Sequence, residues 1–250
     1  MIFQEHYNPI LELLTVLENW DRLLSGFLLT MWMYGWALFM GFFLGLILSI
    51  LRQYGGIVLS RVATGYIEII RGTPLLAQLF FIYYFRNAIN ITFEIPVIET
   101  SFEIFDTDIT LKLLDYPIFI GILTLSLNSA AYQAEYLRGA IVSVGSGQLE
   151  AAQSLGMSRL AGIQHIVLPQ ALRRVIPAWS NEAAYLPKYT VVVWFIGGVE
   201  ELFFQAHGIA ARTFFILTTY AVIAFMFLIT ITIISKGLDI IHKRTAIPGL

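Results

Sequence analysis

The sequence has no cysteine and few charged residues. None of its 250 residues is Cys, and only 13% are Asp, Glu, Lys or Arg. The lack of cysteine excludes disulfides, thiol catalysis and cysteine-ligated metal sites. The formal net charge is -2, from 15 basic and 17 acidic residues, which gives no indication of a nucleic-acid partner. The spacing of the histidines, serines and acids matches neither a catalytic set nor a metal site, so no catalytic residue and no metal ligand is predicted.

Apolar residues are abundant instead. Hydrophobic residues make up 58% of the sequence, and the mean hydropathy is +0.75. A membrane-crossing helix needs about 20 apolar residues, and five segments qualify. They cover residues 23–51, 62–85, 117–137, 175–199 and 213–234. We therefore predict an all-α membrane protein with five transmembrane helices in a single domain over residues 1–250. The N-terminus lacks the features of a cleavable signal peptide, so the first span is expected to act as the insertion signal.

Basic residues are distributed unevenly between the loops. If the N-terminus lies outside, nine of them fall on the cytoplasmic side, namely Arg52, Arg61, Arg138, Arg159, Arg173, Arg174, Lys236, Lys243 and Arg244. Four fall on the outer side, namely Arg22, Arg86, Lys112 and Arg212. This excess inside predicts an outer N-terminus and, with five spans, a cytoplasmic C-terminus. The acids of the outer loop, residues 87–116, are then expected to form a solvated surface, with a docking role as the alternative.

An odd number of spans leaves no two matching halves within this chain. A carrier built from inverted repeats places its site between two related halves, so this chain is not expected to form such a site alone. The sequence also lacks the phosphate-binding pattern Gly-x-x-x-x-Gly-Lys-Ser/Thr, so any ATP-driven step would need an ATPase on another polypeptide.

The cytoplasmic loop, residues 138–174, contains a stretch with helical spacing, EAAQSLGMSRLAGIQHIVLP over residues 150–169. Ser146 is expected to cap a first helix, Gly156 to interrupt it, and Pro169 to end a second one. Two short helices with a glycine hinge would present a compact surface to a cytoplasmic partner. The alternative is an amphipathic helix at the membrane surface that only anchors the chain.

This stretch resembles the EAA loop of ABC-importer permeases, which reads EAA, three residues, Gly, nine residues and Ile-x-Leu-Pro. Every fixed position matches, from Glu150 through Gly156 to Pro169. Residues 70–79 are similar to the RGTPLLVQL segment of the polar amino-acid permeases (the histidine/glutamine/glutamate branch). Residues 127–139 and 177–190 resemble the third and fourth spans of that branch, so the resemblance covers nearly the whole chain.

The resemblance implies a type I ABC importer permease fold with a cytoplasmic coupling-helix loop, in a prokaryotic cytoplasmic (inner) membrane. Such a chain forms a transmembrane pore with a second permease chain, identical or related, surrounded by membrane lipid. Two cytoplasmic ABC ATPase subunits each receive one EAA loop, and an extracytoplasmic binding protein delivers a polar amino acid or a close derivative. ATP and Mg are held by the ATPase, and this chain binds no cofactor. The residues implied to couple to the ATPase are Glu150, Ala151, Ala152, Gly156, Ser158 and Arg159.

Several polar residues in or beside the predicted spans are candidates for the translocation pathway, because polar groups in a membrane usually face a cavity or a partner. They are Arg71, Asn128, Ser129, Asn181, Glu182, Lys188, Tyr189 and Thr190. An amino acid needs donors for its carboxylate and acceptors for its ammonium group, which this set offers. The alternative is that these side chains join helices by hydrogen bonds. Arg71 is more simply explained by a pair with Glu68 one turn earlier, and Glu135 by a pair with Arg138.

The chain departs from its relatives near Lys188. The branch often reads Leu-Lys-Asp-Thr-Ser-Leu there, whereas Tyr189 replaces the acid and Val191 the serine. A missing acid weakens the case for a cationic substrate and favours a neutral or acidic amino acid, unless the paired permease chain carries the site. The rival class is a channel or ion-coupled carrier that works without ATP. It would need an Asp/Glu/His relay in the spans, and only Glu68, Glu135 and Glu182 approach the interior.

Overall fold

The computed structural model describes residues 8–89 and 94–245. Helices dominate, and within these residues the α-helices are α1 (Pro9–Leu17), α2 (Trp20–Tyr54), α3 (Ile57–Arg71), α4 (Leu75–Ala88), α5 (Tyr116–Val144), α6 (Ser146–Ser154), α7 (Arg159–Gly162), α8 (Leu168–Arg174), α9 (Ile176–Tyr189), α10 (Leu202–Thr213) and α11 (Ile216–Thr245). A π-helical turn, Ile163–Val167, joins α7 to α8, and a 3-10 segment, Thr190–Ile196, follows α9.

Two of the described helices, α2 and α11, are long and apolar enough to cross a membrane. Helix α2 has 35 residues and α11 has 30, and only 28% of the most apolar stretch of α2 and 11% of that of α11 are buried. Apolar side chains on the outside of a long helix are suited to lipid. The shorter helix α4 is apolar as well.

The structure divides two of the segments expected to cross as single spans. The segment 62–85 contains the end of α3 at Arg71 and the start of α4 at Leu75. Pro74 causes this break, because a residue that precedes proline is disfavoured in the α conformation. The segment 175–199 changes from α9 to 3-10 geometry after Pro187, which cannot donate a backbone hydrogen bond.

A β-hairpin occupies part of the segment expected to form the outer loop. Strand β1 (Ile98–Ile104) pairs antiparallel with β2 (Thr107–Leu114). The two turn residues, Phe105 and Asp106, have φ values of 50° and 57°, as a tight two-residue turn between twisted strands requires. This hairpin was not predicted from the sequence, because Phe105 and Asp106 lack the Asn-Gly or Asp-Gly pattern typical of such a turn.

The chain folds into two compact units, each built from several separate segments. Of the described residues, the first contains 8–35, 79–89, 94–123 and 187–230. Its buried apolar cluster includes Leu23, Leu202 and Ile209. The second unit contains 36–78, 124–186 and 231–245.

Helices α2 and α5 pack closely inside the second unit. A methyl group added at Gly45 of α2 would lie 3.0 Å from the carbonyl oxygen of Ala130 in α5, and one added at Gly41 would lie 2.8 Å from Nε2 of Gln133. These glycines therefore allow the two backbones to approach. Leu48, Ala130 and Ala134 fill the contact, and Ile67 of α3 packs against the same cluster.

Candidate functional site: the cytoplasmic loop and a buried polar network

The EAA stretch folds as a series of short helices. Helix α6 ends at Ser154, the chain turns at Gly156, and α7 begins at Arg159. Gly156 has φ of +87°, a conformation that side chains disfavour, so glycine is required at this turn. Ser158 caps α7, because its Oγ accepts a hydrogen bond from the amide of Ala161 at 3.2 Å.

Two of the expected helix boundaries are wrong. Ser146 is the first residue of α6, and the cap is Gly145, which makes no side-chain hydrogen bond. Pro169 does not end the second helix but lies in the first turn of α8, which continues to Arg174. A proline is tolerated there because its missing amide would have no partner in the first turn of a helix.

The predicted coupling residues lie mostly on the surface of this loop. Ala152 is buried, whereas the other members of the set, Glu150, Ala151, Gly156, Ser158 and Arg159, are exposed. Two leucines accompany them on the surface, Leu155 at 86% exposure and Leu160 at 73%. Neither leucine was among the residues expected to couple to an ATPase. Exposed apolar side chains beside a charged residue are typical of a surface that binds another protein.

The loop is fixed to the second unit by apolar packing and by two arginines. Val167 and Ala171 pack against Leu137 and Ile141 of α5. The guanidinium of Arg174 donates to the carbonyl oxygen of Ser143, near the end of α5. Arg159 lies over the ring of Tyr54, 5.8 Å from its centroid, at the end of α2. The loop is therefore held against the ends of two long helices.

Two of the predicted pathway residues meet in a buried hydrogen-bonded network. Ser129 of α5 donates to Oε1 of Glu182 in α9 at 2.6 Å, and Gln133 Nε2 donates to Ser129 Oγ at 3.0 Å. Gln133 also accepts from Trp179 Nε1 at 2.6 Å and donates to the carbonyl oxygen of Leu38 at 3.3 Å. Glu182 is only 4% exposed. Burial of a carboxyl group is costly unless hydrogen bonds compensate it, so Ser129 is a necessary partner.

Asn128 takes part in a second buried group, around Gln78. Nδ2 of Asn128 donates to Oε1 of Gln78 at 3.0 Å. Gln78 Nε2 in turn donates to the carbonyl oxygen of Ile70 at 2.7 Å and contacts both oxygens of Thr73. These acceptors lie at the break between α3 and α4, where helical hydrogen bonds are lost. Gln78 therefore compensates backbone groups that Pro74 leaves without partners.

The other pathway candidates lie elsewhere. Asn181 is an exposed residue of α9 in the second unit, while Lys188 and Tyr189 are exposed residues of the first unit. Thr190 is fully buried in the first unit, and its hydroxyl donates to the carbonyl oxygen of Pro187 at 2.8 Å. Sequence reasoning missed Gln78, Gln133 and Trp179. Their partners are mostly distant in the sequence, and polar residues within an apolar stretch were the available signal.

A cluster of ionic residues joins α2, α3 and α5. Glu135 pairs with Arg138 at 3.1 Å, as expected. Arg71 differs from the expectation, since it lies 3.9 Å from Glu135 and over the ring of Tyr132 at 5.4 Å. Glu68, its expected partner, instead lies 3.6 Å from Arg52.

Comparison with known proteins identifies the family. The model of the family described as "Binding-protein-dependent transport system inner membrane component" matches residues 22–247. The chain belongs to this family. It is 32% identical over 225 residues to the glutamine transport system permease protein GlnP of Escherichia coli, covering 90% of this chain and 93% of that protein. It is 35% identical over 179 residues to the nopaline transport system permease protein NocM of Agrobacterium fabrum, covering 70% and 68%.

A solved structure is similar as well. The crystal structure of an amino acid ABC transporter with histidines matches with a TM-score of 0.76 and 30% identity, covering 92% of this chain and 97% of that one. These matches confirm three predictions: an ABC importer permease fold, an inner-membrane location and a non-catalytic transport subunit. A family member works with an ATPase on a separate chain and with a substrate-binding protein.

The hydrogen bond from Ser129 to Glu182 gives a test of the buried network. We expect Ser129→Ala to destabilise the protein by about 1–3 kcal/mol, because a buried carboxyl group then lacks its donor. Ser129→Ala combined with Glu182→Leu should recover much of this loss, since both polar partners are absent. Ser180→Ala is the control, because Ser180 Oγ only donates to Ile176 of its own helix at 2.7 Å.

The measurement is thermal unfolding of the purified permease in detergent. If Ser129→Ala lowers the melting temperature no more than Ser180→Ala does, the network does not stabilise the fold.

Proposed function

We propose that this chain is one half of the translocation pore of an importer for a polar amino acid, with a neutral or acidic amino acid favoured over a cationic one. The observation that carries the proposal is the exposed EAA loop, which is anchored to α5 and to the end of α2. Support for the substrate class comes from a relative named for glutamine, and from Tyr189 and Val191 at positions where an acid and a serine are common in the branch.

The energy of ATP hydrolysis would reach the permease through the EAA loop. Two ATPase subunits, which hold ATP and Mg, would each bind one EAA loop. One loop would come from this chain and the other from a second permease chain. Closure of the ATPases can shift a permease between inward-facing and outward-facing states only through contacts that differ between the two states. Because the loop packs on α5, its displacement would move that helix as a rigid body. The N-terminus would lie outside and the C-terminus in the cytoplasm.

The predicted pathway residues would offer the substrate several kinds of polar group. Ser129, Asn128 and Glu182 supply buried hydroxyl, amide and carboxyl groups in the second unit. Lys188 and Tyr189 supply an ammonium group and a phenol in the first unit. A zwitterion needs both donors and acceptors, and a cation near its carboxylate is the strongest of these contacts.

Uptake by vesicles tests this function. The full complex, with its ATPase, sister permease and binding protein, is reconstituted, and uptake of labelled amino acids is measured with and without enclosed ATP. We expect uptake only with ATP, and competition by glutamine or glutamate that exceeds competition by arginine or lysine. Uptake that is unchanged without ATP would support a channel or an ion-coupled carrier instead. Best competition by arginine and lysine would overturn the substrate class alone.

Substitutions in the loop test the coupling. Gly156→Pro should abolish uptake, because proline fixes φ near -65° whereas Gly156 has φ of +87°. Glu150→Lys should do the same by reversing a charge on the surface that contacts the ATPase. Gln153→Lys, an exposed residue of the same helix α6, is the matched control and should retain uptake within about twofold.

All three variants are first checked for insertion by their level in the membrane fraction. Normal uptake by Gly156→Pro or by Glu150→Lys, at normal levels of the protein, shows that the loop does not couple ATP hydrolysis to transport.

A further inference from the structure

One carboxylate in the second unit is shared by three arginines. Glu135 of α5 pairs with Arg52 at the end of α2, with Arg138 one turn later in α5, and with Arg71 at the end of α3. The distances to Glu135 are 3.1 Å from Nη2 of Arg138 and 3.9 Å from Nη1 of Arg71. Arg138 contacts Oε2, whereas the other two arginines contact Oε1. We call this group the Glu135 joint.

The positive charges of the joint exceed the negative ones. Three guanidiniums face Glu135, and the other nearby carboxylate, Glu68, lies 3.6 Å from Arg52 and is 64% exposed. The Glu135 side chain is only 17% exposed and that of Arg52 20%, so solvent screens this pair less than an ordinary surface pair. Without the charge of Glu135, the arginines at the ends of α2 and α3 would repel one another and Arg138.

The joint holds the helix that leads into the cytoplasmic loop. Helix α5 ends at Val144 and α6 begins at Ser146. Tyr54, two residues after Arg52, packs under Arg159 of the loop. The end of α2 therefore contacts both α5, through the joint, and the loop, through Arg159.

The contact between α2, α3 and α5 is stabilised mainly by apolar packing. Leu48, Ile67 and Ala134 bury apolar surface between the same three helices. These apolar contacts remain when Glu135 loses its charge, whereas the ion pairs fix the directions of the helices that they join. Loss of the joint should therefore disturb the alignment of the helix ends more than it disturbs folding.

We propose that Glu135 is a positioning residue for energy coupling: it ties the ends of α2 and α3 to α5, so that displacement of the cytoplasmic loop moves the three helices together. The proposal rests on the proposed function, because it assumes that the loop is driven by an ATPase. It adds a role for a residue outside both the loop surface and the set of pathway candidates.

The test compares transport with ATP hydrolysis in the reconstituted full complex. In Glu135→Gln the carboxamide keeps the shape but loses the charge. We expect uptake to fall about tenfold while ATP hydrolysis stays within about twofold, so that more ATP is consumed for each amino acid imported. A residue with a merely structural role would lower both rates together with the amount of folded complex, and would leave their ratio unchanged.

Two further variants serve as controls for Glu135→Gln. Glu68→Gln is the matched control, because this exposed carboxylate contacts only one arginine of the joint. The amount of ATP hydrolysed per amino acid imported should stay normal in this variant. Glu135→Asp retains the charge and should recover part of the coupling that Glu135→Gln loses. If Glu135→Gln does not accumulate in the membrane, Arg52→Gln is measured instead, because it removes the pair between α2 and α5 and lies outside the pathway candidates. This variant should also raise the amount of ATP hydrolysed per amino acid imported.

The positioning role is overturned if Glu135→Gln hydrolyses a normal amount of ATP per amino acid imported. It is also overturned if Glu68→Gln raises this amount equally. These outcomes differ from a failure of the proposed function, in which the unaltered complex itself would show no uptake that depends on ATP.

Discussion

The packing of the EAA loop, residues 138–174, on the end of α5 is the contact on which the proposed function depends. Val167 and Ala171 bury apolar surface against α5, and Arg174 closes the junction by donating to the backbone at Ser143. A loop that is packed in this way moves with its helix, because close-packed interiors transmit displacement and do not absorb it. If the loop were merely tethered, a partner could bind it without moving the membrane helices.

The apolar composition of the chain imposes a second constraint, which is that buried polar groups must find partners inside the protein. Gln78 donates a hydrogen bond to the backbone at the break between α3 and α4. Gln133 of α5 forms hydrogen bonds with α2 and α9. Ser129 and Glu182 belong to the same network as Gln133. Gln78, which compensates the backbone break, thus contacts the pathway candidate Asn128, and Gln133 contacts the candidate Ser129.

Local sequence patterns predicted the helical content and the glycine turn at Gly156, because spacing and composition determine these features, whereas the EAA loop was identified by its resemblance to ABC-importer permeases. Interactions between distant segments were not predictable in this way. Gln133 reaches Leu38, 95 residues away, and no periodicity reveals such a partner. Arg71 was expected to pair within its own helix but contacts Glu135, since the packing of α3 against α5 decides which carboxylate is near. Leu155 was overlooked because an isolated leucine in a helical loop resembles a core residue until its exposure is known.

Crosslinking at Leu155 tests the central claim, that an ATPase binds this loop, most directly. The chain has no cysteine, so a single introduced cysteine provides a unique attachment point. Leu155→Cys is compared with Phe105→Cys, which is 89% exposed at the tip of the hairpin. With a thiol-reactive crosslinker in membranes that contain the full complex, we expect an adduct between the ATPase subunit and the thiol at position 155, and none from position 105. If position 155 gives no ATPase adduct in a complex that still imports amino acid, the ATPase does not bind this loop.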